Sequence, residues 1–213
     1  NNTELFPSAC RNIGIKISQG DLIFFVDDDV ILDRSTIINL SRILVKCKNL
    51  GLVGPVIYYF KDPAKVWCAG INLFPPIFYP PRLLGRDKRY WELPKNSLIE
   101  CDSIPSVFMT RKEVIEHVGL FDERLPIGFE EIDFALRIKK KGYRVAVYTN
   151  AKAFHDLPAA RVHVTEKRAY WTGRNAVLFY RKHAFIRCLL LPLDIITFML
   201  FLRKNNKSVR RYL

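Results

Sequence analysis

The chain predicts an α/β fold, a mostly parallel sheet flanked by helices, and three observations carry that prediction. Leu22-Ile23-Phe24-Phe25-Val26 is an unbroken apolar and aromatic run, the kind found in a strand buried on both faces. A second such run extends from Leu52 to Tyr59. Between them Ile37, Leu40, Ile43, Leu44 and Cys47 recur at helical spacing. Strand, helix, strand in this order argues for parallel strands joined by a crossover helix. With 213 residues, 49% hydrophobic and 26% charged, the chain can bury a real core, which excludes disordered and fibrous classes.

The elements follow in order. Ala9, Ile13 and Ile17 mark a first helix that Gly20 stops before Asp21. The first strand ends in Asp27, Asp28 and Asp29, after which Asp33 or Ser35 can cap the second helix, closed by Gly51. A third strand is expected over Val66 to Leu73. From Pro75 to Pro94 five prolines, several aromatics and the basic group Arg82, Arg86, Lys88 and Arg89 read as a long loop. Regular structure resumes from Leu98 to Thr110, then a short helix around Val114, Ile115 and Val118 ends at Gly119. Glu130 to Lys141 reads as a helix terminated by Gly142, Tyr143 to Tyr148 as one more strand, and His155 lies just past it.

Charge is unevenly placed. The formal net charge is +13, but residues 157–213 hold 12 Lys and Arg against Glu166 and Asp194, a net +10, leaving +3 on the first 156 residues. A nucleic-acid-binding module would concentrate basic residues on its body; here they flank an apolar stretch, so nucleic acid is not the expected partner. Cys10, Cys47, Cys68, Cys101 and Cys188 are scattered and odd in number, which suits a reducing compartment better than a disulfide framework or a zinc site. The chain opens Asn1-Asn2-Thr3 rather than with Met, so upstream sequence is expected and a leader stays open.

Three groups of residues could carry chemistry. Three carboxylates at the carboxyl end of a buried strand repel one another, and in α/β sheets ligands bind at that end. Strand alternation points Asp27 and Asp29 one way and Asp28 the other, an Asp-x-Asp pair suited to Mg2+ or Mn2+ holding a diphosphate. Helix capping and a solvated turn is the competing reading. Glu130, Glu131 and Asp133 open a helix; they can complement its dipole, or one of them can act as a general base. His155 beside Asp156 is either structural or a metal ligand.

In order along the chain these groups resemble the inverting glycosyltransferases of family 2, with the GT-A (Rossmann-like) fold. Ala9-Cys10-Arg11-Asn12-Ile13-Gly14 is similar to the family's A-x-R-N-x-G helix, and Gly20 to Asp29 to the strand that delivers its D-x-D. Gly119-Leu120-Phe121-Asp122-Glu123 with Glu130-Glu131-Ile132-Asp133-Phe134-Ala135-Leu136-Arg137 resembles G-L-F-D-E and E-D-x-D-x-x-x-R. Gly142-Tyr143-Arg144-Val145, His155 and Arg174-Asn175 complete the match, which covers most of residues 9 to 180.

The resemblance implies a division of labour. Arg11, Asn12, Asp27 and Asp28 would bind the nucleotide sugar; Asp29 and Asp27, with His155, would hold Mn2+ or Mg2+. Glu131 falls on the catalytic base, with Glu130 and Asp133 beside it. The family's base is usually aspartate, so Glu131 is a departure that keeps Glu130 and Asp133 as candidates. The implied reaction transfers a sugar from a UDP-, GDP- or TDP-sugar to a hydroxyl of a glycan or lipid-linked saccharide, with inversion. A non-catalytic family member and a metal-dependent nucleotidyltransferase are the alternatives.

The family begins with a strand-helix-strand unit that forms the nucleoside pocket, and none precedes Asn1. Residues 1–182 are therefore expected to form a partial GT-A domain that alone binds donor poorly and is inactive. Residues 183–213 form a separate segment. Ala184 to Leu202 is mostly apolar and basic-flanked, close to the roughly 20 residues that span a bilayer. Arg187, Pro192 and Asp194 interrupt it, and a central charge costs about 3 kcal/mol on insertion scales. A segment lying on the cytoplasmic face of an anionic membrane is expected, with a clean span or a buried helix as alternatives.

Overall fold

A computed structural model describes residues 6–73, 81–156, 166–183 and 196. The segment 184–195 and most of the basic end, the expected membrane segment, lie outside the described residues. Among the described residues no helix is long and apolar enough to cross a membrane.

Helix α1 (Pro7–Ile17) starts on a proline, whose fixed φ suits a first helical turn. It leads to β1 (Leu22–Val26), then a turn in which the Val30 N–H donates to the Asp27 carbonyl at 3.2 Å. A short strand follows that the sequence reading missed, β2 (Val30–Leu32), before α2 (Thr36–Lys46) and β3 (Leu50–Tyr59). Asp33 accepts from the Ser35 backbone and hydroxyl ahead of α2, so the expected capping residues pair with each other.

The expected strand from Val66 to Leu73 is two: β4 (Asp62–Cys68) and β5 (Ile71–Asn72), parted at Gly70, whose φ of 105° only glycine adopts easily. β6 (Arg82–Leu83) pairs with β5. Leu98 to Thr110 likewise resolves into β7 (Leu98–Glu100) and β8 (Val107–Arg111). Helices α3 (Lys112–Val118) and α4 (Glu130–Lys140) fall where helical spacing placed them.

β9 runs from Arg144 to His155, so His155 ends this strand instead of following it. Pro55 pairs with Tyr148 and Val56 with Lys152, which leaves Thr149 to Ala151 looped out of the ladder. Pro55 has no N–H to donate, and the break falls where a central-strand proline is tolerated. Helix α5 (Glu166–His183) closes the described chain.

The main sheet has the order β1-β8-β3-β9-β2 and is mixed. β1, β3 and β9 point the same way, as the strand-helix-strand pattern predicts, but β8 inserts antiparallel between β1 and β3. Direct parallel pairing is confined to β3 with β9 among the described ladders; β2, β4 and β7 join antiparallel. The parallel share is smaller than hydrophobic patterning suggested, because an apolar run reports burial on both faces and not the direction of its neighbours.

Helix α2 covers one face, where fully buried Leu40 and Leu44 meet Leu50, Val53 and Met109. The opposite face stacks Phe25, Phe108, Phe121 and Phe134, with the Phe121 and Phe134 rings 4.3 Å apart. Each such buried side chain stabilises the fold by about 2 kcal/mol. Gly51, expected to end a helix, sits inside β3: a Cβ there would lie 2.6 Å from both Ile138 and Tyr143. Its missing side chain lets α4 approach the sheet, which fixes the position of the acids that open that helix.

Candidate active site

The aspartate triplet sits in the turn that leaves β1, not in the strand. Alternation therefore fails, and Asp27 and Asp29 part company. Asp27 Oδ1 lies 2.9 Å from Arg11 Nη2, whereas Asp29 Oδ2 lies 3.1 Å from His155 Nε2 at the end of β9. Asp28 is exposed.

Arg11 collects carboxylates from two segments about 100 positions apart in the sequence. Its Nη1 donates to Glu130 Oε1 at 3.1 Å and its Nη2 to Glu131 Oε1 at 2.7 Å. The backbone just before them is left-handed, with φ of 76° at Gly128 and 70° at Phe129. Positive φ at a bulky residue stores strain of about 1–3 kcal/mol, and here it turns the first residues of α4 toward α1. Ser106, with φ of 62°, is also left-handed; its N–H donates to Glu131 at 3.0 Å while its carbonyl accepts from the Asp27 N–H at 2.9 Å. One residue thus links the two acidic segments. Neither Ser106 nor Phe129 carries a sequence signal for these roles; Gly128 alone hints at the turn.

Three carboxylates around one guanidinium leave the cluster short of positive charge. Burial raises the Glu131 carboxyl, Arg11 opposes, and Glu130 and Asp27 add to the rise, leaving it at about 8. Burial also raises Glu130, against the pull of Arg11, and its Oε2 is buried with no hydrogen-bond partner. Arg11 itself is held charged: burial would favour the neutral form, but Glu131, Glu130 and Asp27 outweigh it. The Glu131 side chain keeps 18% exposure. A reachable carboxyl that titrates near neutrality can take up a proton from a bound hydroxyl.

Asp133 does not join this cluster, which corrects its reading as a catalytic candidate. Its side chain is fully buried, with Arg137 Nε at 2.9 Å and Lys182 Nζ and His183 Nε2 each at 2.7 Å. Burial alone would raise it, yet His183, Lys182 and Arg137 hold it at about 2. Asn12, read as a nucleotide ligand, is also internal: Nδ2 donates to the Phe121 carbonyl and to Glu123, and Oδ1 accepts from the Phe121 N–H. It joins α1 to the Gly119 to Glu123 segment and has no donor left for a ligand. Of the loop's basic residues, Arg86 and Arg89 pair locally, with Asp87 and Asp62.

A divalent cation was expected at Asp29, Asp27 and His155. Asp29 and His155 are adjacent, and His155 Nδ1 is a buried atom without a partner. Trp67 packs edge-on against the imidazole with centroids 4.5 Å apart, a contact the sequence did not suggest. No group of three or more His, Cys, Asp or Glu residues suited to a metal occurs among the described residues, and Asp27 is turned to Arg11. A carboxylate and an imidazole fit Mn2+ or Mg2+ bound through one or two side chains, with phosphate oxygens and water as the other ligands.

The mixed α/β sheet, with an acidic turn at the end of a buried strand and glutamates at a helix start, has the GT-A glycosyltransferase fold, as its likeness to solved structures shows. The chain superposes on GalNAc-T7 in complex with UDP, GalNAc and Mn2+ with a TM-score of 0.59 at 14% identity, covering 74% of this chain and 31% of that one. A mannosyltransferase of Pyrobaculum calidifontis in complex with GDP-Man and Mn2+ gives 0.50 at 14% identity, covering 83% and 42%.

Residues 1–156 match the model of the glycosyltransferase-like family 2, and the chain belongs to that family. The dTDP-rhamnosyl transferase RfbF of Shigella flexneri is 27% identical over 187 residues, covering 83% of this chain and 60% of that protein. The uncharacterized protein y4gI of Sinorhizobium fredii is 24% identical over 172 residues, which are 76% of this chain and 18% of that one. The chain thus spans less than two thirds of the length of either relative.

Proposed function

We propose that the chain is the catalytic body of an inverting glycosyltransferase that moves a sugar from a UDP-, GDP- or TDP-sugar to a hydroxyl of a glycan or lipid-linked saccharide. The observation that carries this reading is the gathering of Asp27, Glu130 and Glu131 on Arg11, beside the Asp29–His155 pair. Glu131 takes the proton of the acceptor hydroxyl as its oxygen attacks the anomeric carbon; the bond to the diphosphate breaks on the opposite face, so the configuration inverts. Ser106 and Arg11 hold the Glu131 oxygen in place, and Glu130 keeps Arg11 from neutralising the base fully. Asp29 and His155 would hold Mn2+ or Mg2+, which when bound neutralises charge developing on the leaving diphosphate.

The tail is assigned to the cytoplasmic face of an anionic membrane from its composition. The boundary expected after residue 182 moves by one, because α5 runs to His183 and that side chain meets Asp133, so residues 1–183 form the catalytic body and 184–213 the membrane-associated segment. Nucleic acid is not a partner in this reading. The test is a panel of UDP-, GDP- and TDP-sugars with Mn2+ and saccharide acceptors on the whole protein, with product configuration read by NMR. Transfer with inversion that Glu131→Gln abolishes is expected. Retention of configuration, or a Glu131→Gln variant as fast as the parent, sinks the proposal.

A further inference from the structure

Helix α2 buries Thr36, Leu40 and Leu44 and so fixes which side it turns outward. That outward side is unusual. Ile37, Ile38 and Val45 are 51%, 47% and 55% exposed. Ile38, Arg42 and Val45 follow one another at spacings of four and three, which lines them along one stripe. Lys46 flanks the stripe, and exposed Arg34 and Lys48 stand in the turns at either end. Asp33 adjoins Arg34 and is engaged by Ser35, but no acid occurs between Arg34 and Lys48, and none of these four cations forms a salt bridge among the described residues. α4 offers the contrast of an ordinary solvated face: Lys139 and Lys140 are exposed there without any exposed large aliphatic beside them.

We propose that this face of α2 rests on an anionic lipid bilayer. Branched aliphatics interleaved with unpaired cations match the chemistry of that surface, whose headgroups take the charge while its acyl boundary takes the apolar side chains. Nucleic acid would satisfy Arg34, Arg42, Lys46 and Lys48 but leave Ile37, Ile38 and Val45 in water. A second copy apposed through the same face would bring like charges together. The surface is separate from the segment 184–213 assigned to a membrane above, and it gives the catalytic body its own contact.

Flotation of the whole protein with phosphatidylcholine vesicles, with and without phosphatidylserine, tests this. Ile38→Ser with Val45→Ser, and separately Arg34→Gln with Arg42→Gln, alter only exposed side chains, so thermal melting should match the parent. Each pair is expected to weaken partitioning to phosphatidylserine vesicles by about tenfold or more. The effect of the charge pair should vanish in high salt. If both pairs float like the parent while Arg203→Gln with Lys204→Gln does not, the inference fails and the tail assignment stands. If the parent itself never floats, both fail. Self-association of the parent in the ultracentrifuge that Ile38→Ser with Val45→Ser abolishes, without vesicle binding, would make the face a contact between copies and also overturn the inference.

Discussion

Glu131 and Asp133 stand two positions apart on α4, and their surroundings drive them in opposite directions. Glu131 shares one guanidinium with Glu130 and Asp27; Asp133 is met by Arg137, by His183 and by Lys182, which it shares with Asp122. One carboxyl is pushed up to about 8 and the other is held at about 2. Residues two apart on a helix point about 200° from one another, so a single acidic first turn serves two neighbourhoods. Carboxylates whose environments separate their affinities for protons take different roles. Charge balance around each group, and not its place in a motif, separates the proton acceptor from the structural tie.

The sharpest way to break this comparison is to neutralise each acid in turn. Glu131→Gln in the whole protein should lower the rate of sugar transfer by about 10²–10⁴, the usual contribution of a positioned base, with stability within about 1 kcal/mol of the parent at about pH 5, where the glutamate is protonated in the fold. Asp133→Asn should do the reverse. It leaves Arg137 partly buried without its counter-ion and Lys182 with Asp122 alone, and breaking such a cluster costs about 3 kcal/mol, read as a lower urea midpoint. Turnover lost in Asp133→Asn at unchanged stability would put both acids in the same chemistry and end the distinction.

The motifs located this site but not its wiring. Asp27 to Asp29 and Glu130 to Asp133 were legible because buried runs and helical spacing fix where a strand ends and a helix begins. The partners were not. Arg11 meets Glu131 across 120 positions and His183 meets Asp133 across 50, and no local pattern encodes which charges a fold will bring together. Asp-x-Asp misled for a related reason: alternation holds within a strand, and Asp27 begins a turn. Lys182 reads as the basic flank of a tail, although its ammonium is spent on Asp122 and Asp133 inside the body. Ser106 carried no signal, since serine gives no sign that it will adopt a positive φ.

The Asp29–His155 pair extends the comparison to a third acid, one whose partner is an imidazole. Mn2+ with a nucleoside diphosphate should raise the melting temperature of the whole protein. Saturation at about a hundred times the dissociation constant is worth about 2.7 kcal/mol. His155→Ala should remove most of that increment, whereas Asp133→Asn, though less stable at the outset, should keep it. An increment unchanged in His155→Ala would show that the cation is held elsewhere.

The pH dependence is the most discriminating test, because the two carboxyls of α4 should lose stability at opposite ends of the pH scale. Asp133 is held at about 2 against an ordinary value of 3.8. Its contribution is complete above about 3.8 and disappears as pH falls through about 2; the difference corresponds to about 2 kcal/mol. Glu131 lies at about 8 against an ordinary 4.5, so between those values the folded state binds more protons than the unfolded state. Stability therefore declines as pH rises through that window and levels off above about 8. Urea unfolding measured across pH should show both limbs. Asp133→Asn should flatten the acid limb alone and Glu131→Gln should flatten most of the alkaline one, with the remainder owed to Glu130, which burial also raises. A substitution that flattened both limbs would mean the acids of α4 titrate as one group.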